Sequence, residues 1–415
     1  MLQKNIFFSY RVEDEKSVDF NQQEYDIIFG KAHYSYKIAA TKFLKLLKKS
    51  NYTLKEIIRP EMYKHPIAFE HLEYFNINEE NIHLIWKPIE HINILKKAKN
   101  IGIFAWEFDK INEEDIEGNP FLNQKRMLNL LDEIWVPSIY TKNILKNHGY
   151  NNVYFIPAPI EEPNKLYEEK TLWELIGDMT SVQLHAAPIN EEPLIPFKEN
   201  IDFSTIKKTY FSILNPWDYR KNFPNLLRTF MEFANKYPDV LFIVKVIIDN
   251  KTTFLNNINE ILYLNLKQKD LQSKNIILVS EYIPEKTLYS IMKKVDYYYN
   301  LSFAEGQFLP ILESMVVGTV PISPNTTAMQ DYITPENAFV ISSKLSPADS
   351  RSNAFARDDF MWFEPNLEDA LKQLENSYYI SDDDYRDKAN NSKEKVKEVY
   401  GTKNVLKKIK ERLDG

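Results

Sequence analysis

The chain of 415 residues contains no cysteine, which excludes disulfide frameworks, thiolate metal sites and cysteine nucleophiles and is compatible with a reducing compartment. No stretch approaches the roughly 18 consecutive apolar residues of a membrane span, and the opening M-L-Q-K-N-I-F-F-S-Y lacks the long apolar centre of a secretory signal. A soluble, cytoplasmic protein is the expectation. Positive charge is also short: 52 Lys and Arg stand against 59 Asp and Glu, a formal charge of −7, which argues against nucleic acid as a partner. Seven histidines form no H-E-x-x-H or other short metal pair, and His33, near a strand end, is weakly placed, so neither a metal site nor a resident cofactor is read. Glycine numbers only 9, about a third of average usage, so each one marks a sharp turn or a close approach more pointedly than usual.

What is present is the composition of a folded protein, with 44% hydrophobic and 13% aromatic residues, long enough for two cores. Short apolar runs rich in β-branched and aromatic residues recur at Asn5 to Ser9, Tyr25 to Phe29, Ile82 to Trp86, Ile101 to Ala105, Glu133 to Pro137 and Val153 to Pro157, separated by helical patterns. That rhythm predicts a parallel sheet covered by helices. Ser138 is placed to cap one helix, which Gly149 ends.

A proline-dotted, acidic stretch follows, with one short helical piece near Leu172 to Ile176. The rhythm then resumes with strands at Tyr210 to Leu214, Val240 to Ile247, Asn275 to Val279, Asp296 to Leu301, Val320 to Ser323 and Ala338 to Ile341. Helices are expected from about Pro224 to Tyr237, Phe254 to Leu266 and Pro284 to Lys293, and from near Pro310. The reading is α/β: two Rossmann-like doubly wound domains at 1–160 and 208–385, a linker with an insertion at 161–207, and terminal helices at 386–415. Such domains place ligands outside the carboxyl ends of their strands, so a cleft between the two is the expected site.

The densest segment runs from Asn300 to Ser323 and reads strand, loop, helix, turn, strand. Pro310 suits a first helical turn and Gly318 a helix end, so Glu305 lies in the loop and Glu313 in the early helix. Backbone amides there, with Gly306 admitting close approach, favour a diphosphate, while carboxylates beside it suit sugar and ribose hydroxyls. By themselves the two glutamates are read more plainly as capping and solubilising a helix. A second segment, Tyr210 to Phe230, places Arg220 and Lys221 in a turn after a strand, where fixed cations stabilise a departing nucleoside diphosphate; the plainer reading is a solvated basic turn.

The first segment resembles the E-x7-E element of retaining family 4 glycosyltransferases, E-G-F-G-L-P-x-L-E-A-M-x-x-G-x-P-V. Glu305, Gly306, Leu309, Pro310, Leu312, Glu313, Met315, Gly318 and Pro321 match in register. The second resembles the strand, R-K-N turn and helix of that family. Ile101 to Glu107, Asp132 to Ser138 and Val153 to Ile160 are similar to the acceptor domain of a branch with W-E and D-E-I-W-V-P-S segments.

The resemblance implies the GT-B architecture and a retaining hexosyltransferase, with Lys221, Arg220 and Glu305 as the catalytic set. It places the donor against Glu305, Gly306, Gln307, Phe308, Leu309, Glu313, Asn215 and Ile283. It implies a nucleotide sugar and a glycan or lipid-linked sugar as partners and surface polysaccharide assembly as the setting. Two departures stand out: Phe308 replaces a glycine, and Asn215 lies where the family has an arginine.

On the acceptor side Trp106 and Glu107 are the candidates, by stacking and by accepting hydroxyls, or else a core tryptophan and a cap. The run Tyr34 to Lys49, with Ile38, Leu44, Leu46 and Leu47 among lysines 37, 42, 45, 48 and 49, is a basic amphipathic helix that can lie on an anionic bilayer or simply cover a core. The lysine-rich helix from about Thr402 is expected to cross back to the first domain. A sugar-nucleotide or glycan binder without catalysis and a hydrolysing epimerase are the competing functions; the epimerase needs acid/base carboxylate and histidine patterns that the sequence lacks.

Overall fold

The computed structural model describes residues 5–10, 33–50, 52–57, 60, 80–163, 167–177, 181–184, 194–196, 201–248, 275–349 and 359–414. The expected strand at Tyr25 to Phe29 and the helix at Phe254 to Leu266 lie outside these residues.

Six strands form the first sheet: β1 (Asn5–Ser9), β2 (Thr53–Glu56), β3 (Ile82–Trp86), β4 (Lys99–Ile103), β5 (Glu133–Val136) and β6 (Val153–Phe155). Their order is β2-β1-β3-β4-β5-β6 and every pairing is parallel. The apolar runs are near-continuous because both faces are covered. Leu84, Trp86, Ile101, Ile103 and Trp135 pack on one side, while Ile85, Phe104, Ile134 and Val136 pack on the other. The polar edge strand β2, Thr-Leu-Lys-Glu, has no such signature and escapes sequence reading.

Helix α1 (His33–Lys48) lies on the first of these faces and buries Ala39, Ala40, Phe43, Leu46 and Leu47 there. Its apolar stripe therefore covers a core, one of the two readings of this helix. Two shorter helices follow, α2 (Gln124–Leu128) and α3 (Ile139–Asn147). Ser138 Oγ accepts from Thr141 N at 3.1 Å, capping α3, and Gly149 just beyond its end adopts φ +90°, the left-handed turn that glycine adopts without strain.

The intervening stretch contributes α4 (Leu172–Gly177) and two strands, β7 (Ser181–Leu184) and β8 (Leu194–Pro196), which sequence reading left as linker. They extend the second sheet, built on β9 (Lys208–Leu214), β10 (Val240–Val246), β11 (Ile276–Val279), β12 (Tyr297–Tyr299), β13 (Val320–Pro324) and β14 (Phe339–Ile341). The order is β14-β13-β12-β9-β10-β11-β7-β8; pairings from β14 to β11 are parallel, whereas β7 joins β11 antiparallel. Strand β10 shows why its sequence is unbroken: Val240, Phe242, Val244 and Val246 enter one core and Leu241 and Ile243 the other.

Helices α5 (Phe223–Lys236), α6 (Glu285–Lys294), α7 (Leu309–Val317) and α8 (Leu367–Tyr379) cover this second sheet. An antiparallel hairpin, β15 (Ser343–Pro347) with β16 (Met361–Pro365), stands apart from it.

The terminal helices and a hairpin help to tie the halves together. α9 (Asp382–Tyr400) packs on α7, and α10 (Thr402–Leu413) then inserts Val405, Ile409 and Leu413 beside Ile6, Phe8 and Trp135 of the first sheet. Arg412 Nη2 reaches Glu133 Oε1 at 2.7 Å, Lys99 Nζ lies 2.6 Å from the same oxygen, and Tyr52 donates to Asp414. The β15–β16 hairpin leans back as well: Phe360 and Trp362 join the cluster of Trp106 and Phe108, and Met361 N donates to Asp109 Oδ1 at 2.7 Å.

Candidate active site

The carboxyl end of β9 leads into a turn whose backbone is held by its own side chains. Asn215 Oδ1 accepts from Trp217 N at 2.9 Å and Asp218 Oδ1 from Arg220 N at 3.0 Å. Both are local side-chain caps of the kind Asn and Asp favour in turns. A single 3-10 turn over Tyr219–Lys221 follows, and Asn222 in the left-handed region, φ +54°, starts α5. Asn222 Nδ2 donates to Leu301 O, and Phe303 N donates to Arg220 O, so the turn is locked onto the chain that leaves β12.

That lock brings Arg220 and Lys221 onto Glu305, which is only 3% exposed. Arg220 Nη1 lies 3.1 Å from Glu305 Oε2, 3.1 Å from Glu107 Oε1 and 3.0 Å from Ala304 O, while Nη2 meets Asp218 Oδ2 at 3.0 Å. Lys221 Nζ lies 2.6 Å from Glu305 Oε1 and 4.8 Å from the centre of the Phe308 ring. Two cations against three carboxylates give the cluster a formal charge of −1.

Burial opposes the guanidinium charge, yet Asp218, Glu107 and Glu305 outweigh it and hold the Arg220 pKa above its ordinary value. Burial pushes the Glu107 carboxyl up and Glu305 adds to this, against the pull of Arg220. A carboxyl so raised is proton-hungry in the folded state, so its contribution to stability is greatest below its unfolded pKa and fades as the pH rises through the folded one.

Phe308 sits at φ +61°, ψ +67°, capping α7. This is the left-handed conformation that glycine accepts without strain and a bulky residue rarely adopts. Its ring, 7% exposed, packs edge-on to Tyr298 at 5.8 Å, so packing retains what the backbone disfavours. Gly318 ends the helix at φ +96°.

Gln307, Leu309 and Glu313 make contacts across the domain boundary. Gln307 clasps the backbone of Ala158, accepting from its N at 3.0 Å and donating to its O at 2.8 Å. Leu309 packs against both halves. Glu313 pairs with Lys42 of α1 at 2.8 Å; burial works against that ammonium, but Glu313 and Tyr289 hold its pKa above the ordinary lysine value. Ile283, 6% exposed, belongs to the core beneath α6 and α7.

Gly306 has the first domain against it: a Cβ there would stand 2.6 Å from Ala105 Cβ. Gly306→Ala is expected to destabilise by about 1–3 kcal/mol through overpacking, and the added change Ala105→Gly to restore most of the loss, as read from denaturant midpoints.

Trp106 requires a correction. It is 4% exposed, its Nε1 donates to Lys110 O at 2.8 Å, and Phe108 and Phe360 meet it edge-on. It is a core residue sealed by the β15–β16 hairpin and offers no face to a sugar. Glu107 beside it does reach the cleft.

Sequence reading passed over Lys42, counted among the lysines of an amphipathic helix, and Asp331, whose Oδ2 accepts from Ile139 N at 2.7 Å at the start of α3. Burial raises the Asp331 pKa to about 6. Neither residue carries a local signal, because each partner lies in the other domain.

Solved structures share this architecture. Anabaena HepE, in complex with UDP and glucose, superposes with a TM-score of 0.59 at 9% identity over 100% of both chains. The fold is GT-B. Two further GT-B neighbours are the UDP-forming alpha,alpha-trehalose-phosphate synthase of Burkholderia xenovorans in complex with glucose-6-phosphate and a mutant S. aureus TarM in complex with Fondaparinux, alpha-GlcNAc-glycerol and UDP. The synthase gives a TM-score of 0.58 at 9% identity over 99% of this chain and 100% of that one. TarM gives 0.52 at 12% identity over 84% of this chain and 58% of that one, so the chain spans little more than half of TarM. No protein-family model matches the sequence, and no curated protein is similar to it. In a GT-B molecule the strands of both sheets point their carboxyl ends at the interdomain cleft, where Glu107, Arg220, Lys221 and Glu305 meet.

Proposed function

We propose that the chain is a retaining glycosyltransferase of the family 4 type, working in the cytoplasm in surface polysaccharide or glycoconjugate assembly. It moves a sugar from a nucleoside-diphosphate donor to a hydroxyl of a glycan or glycolipid acceptor. The observation that carries this reading is the convergence of Arg220 and Lys221 on Glu305 at the start of α7, opposite Glu107 of the other domain. UDP in the HepE and TarM complexes and in the product of the synthase favours a uridine donor.

In the proposed reaction the bond between the anomeric carbon and the diphosphate oxygen breaks, and negative charge grows on the departing oxygen. Arg220 and Lys221, already placed in a site of low exposure, meet that charge without reorganising. The acceptor hydroxyl attacks from the same face and passes its proton to the departing oxygen, so retention needs no protein nucleophile. Glu305 orients the sugar hydroxyls and Glu313 the ribose. Closure of the cleft, with Gln307 on Ala158 and Glu313 on Lys42, excludes water.

Asn215 in place of an arginine, together with a cluster already charged at −1, favours one second reading: a binder of nucleotide sugars that does not turn them over. Thermal shifts with UDP, GDP, ADP and dTDP, followed by an assay of UDP release from UDP-sugars, separate the two. Stabilisation by one nucleotide together with turnover supports the transferase; stabilisation without turnover leaves the binder; no stabilisation by any nucleotide sinks both.

A further inference from the structure

The lysines of the first helix are not alike. Lys45 and Lys48 of α1 and Lys49 just beyond it are exposed, and Lys49 meets Glu161 with both side chains more than half exposed, a pairing that water and salt screen. Lys42 differs: its side chain is 17% exposed, and its Nζ stands 2.8 Å from Oε1 of Glu313, whose side chain is 12% exposed. Tyr289 and Glu285, one turn apart on α6, act on the same ammonium. Three helices therefore meet at it, α1 from the first domain and α6 and α7 from the second.

Stability is a weak reason for such a pair. Taking both charges out of water costs about what their attraction returns, and an apolar pair of the same volume often serves as well. A carboxylate fixed at one oxygen has another use. It carries about four lone-pair sites, and an ammonium at Oε1 takes few of them while it sets the plane of the group. Neighbouring hydroxyls, each a hydrogen-bond donor, are what such a carboxylate receives best. Glu313 also shares its surroundings with the cluster at Glu305: burial holds the Tyr298 phenol above its ordinary pKa, and Glu305 and Glu313 both add to that.

We propose that Lys42 is a positioning residue for the donor: it fixes Glu313 so that the carboxylate accepts from the ribose hydroxyls, and it thereby completes the ribose site from the opposite domain. The inference rests on the glycosyltransferase reading, which gives Glu313 the ribose, and adds the residue that aims it. Because the lysine belongs to the first domain, the ribose contact is complete only when the two domains are together. A bound nucleotide in turn favours closure, since coupling between two equilibria is reciprocal.

Calorimetric titration of the full chain with UDP, GDP and ADP, and with their 2′-deoxy and 3′-deoxy counterparts, tests this. Wild type is expected to bind one ribonucleotide about tenfold or more tighter than at least one of its deoxy forms, the loss that follows when a hydroxyl bonded to a charged group is removed. Lys42→Met, close to lysine in length and without its charge, should lower that preference to within about threefold, as should Glu313→Gln. Lys42→Arg keeps the charge in a different shape and should keep part of the preference. A lysine of purely structural importance would weaken the ribonucleotide and its deoxy forms alike, so an unchanged preference in a folded Lys42→Met variant overturns the proposal. Tighter nucleotide binding by that variant would make Lys42 a block on Glu313 and overturn it too. Should Lys42→Met not fold, Lys42→Met/Glu313→Gln removes both charges together: a preference equal to that of Glu313→Gln alone supports the proposal, and a different one overturns it. A wild type that binds a nucleotide without regard to its ribose overturns this inference and leaves the transferase reading standing, whereas one that binds none of the nucleotides sinks both.

Discussion

Replacing Lys221 with alanine is expected to lower turnover of a UDP-sugar by roughly 10²- to 10³-fold, the usual cost of removing one preorganised group that meets developing charge. The ammonium is held from two sides, by Glu305 Oε1 at 2.6 Å and by the Phe308 ring at 4.8 Å. It therefore stands ready before any donor enters. Arginine at the same position keeps the charge, but its planar fork does not reproduce a point contact above a ring, so recovery by Lys221→Arg should be partial. The readout is kcat from UDP release, with the UDP melting shift as a check on folding. An unchanged kcat in a folded Lys221→Ala variant would assign the residue to holding Glu305 and nothing more.

Arg220→Ala should act on stability as strongly as on activity. Its guanidinium meets Glu107, Glu305 and Asp218 within 3.1 Å, so truncation leaves three carboxylates in a site of low exposure with Lys221, on Glu305, as the remaining cation of the cluster. Breaking a buried pair by removing one partner costs about 3–5 kcal/mol, and here one cation serves three anions.

The deficit has a definite pH dependence. Without Arg220 the Glu107 carboxyl loses the cation that pulls it down and rises further in the direction it already takes. The folded variant then binds a proton at Glu107 more tightly than its unfolded chain, so its stability is recovered as the pH falls through the folded Glu107 pKa and is lost above it. Denaturant midpoints at pH 5 and pH 8 should differ more for the variant than for wild type, with the larger loss at pH 8. A pH-independent loss would mean that packing, and not charge, makes Arg220 necessary.

Much of the architecture is legible because its periodicity is local. The runs at Ile82 to Trp86 and Val240 to Val246 are apolar on both faces because helices cover both, and that pattern is visible one residue at a time. The cap at Ser138 and the left-handed turns at Gly149 and Gly318 are equally local. Strand β2 and the pair β7 and β8 went unread because their few residues gain strand character from neighbouring strands and not from their own composition.

For the candidate site the division falls at the domain boundary. Arg220, Lys221 and Glu305 could be singled out because a strand, a turn and a helix start set their surroundings within a few residues. Trp106 could not be judged that way. Whether a tryptophan at a strand end faces a cleft or a core depends on what lies over it, and here Phe360 does, 254 positions along the chain. Lys42 likewise looks like one lysine among several on an amphipathic helix until α1 is set against α7, where it meets Glu313.

By itself, then, the amino-acid sequence determined the alternation of strands and helices, the two sheets they build, and the turn and loop that hold the cations and the carboxylate, since each depends on interactions between near neighbours. Only the tertiary structure decided which side chains share the cleft, that Gly306 is filled by Ala105, that Gln307 grips Ala158 and that Glu107 reaches Arg220. Those pairs join residues more than a hundred positions apart, and the distance between such residues is set by how the two domains close and by nothing written near either of them.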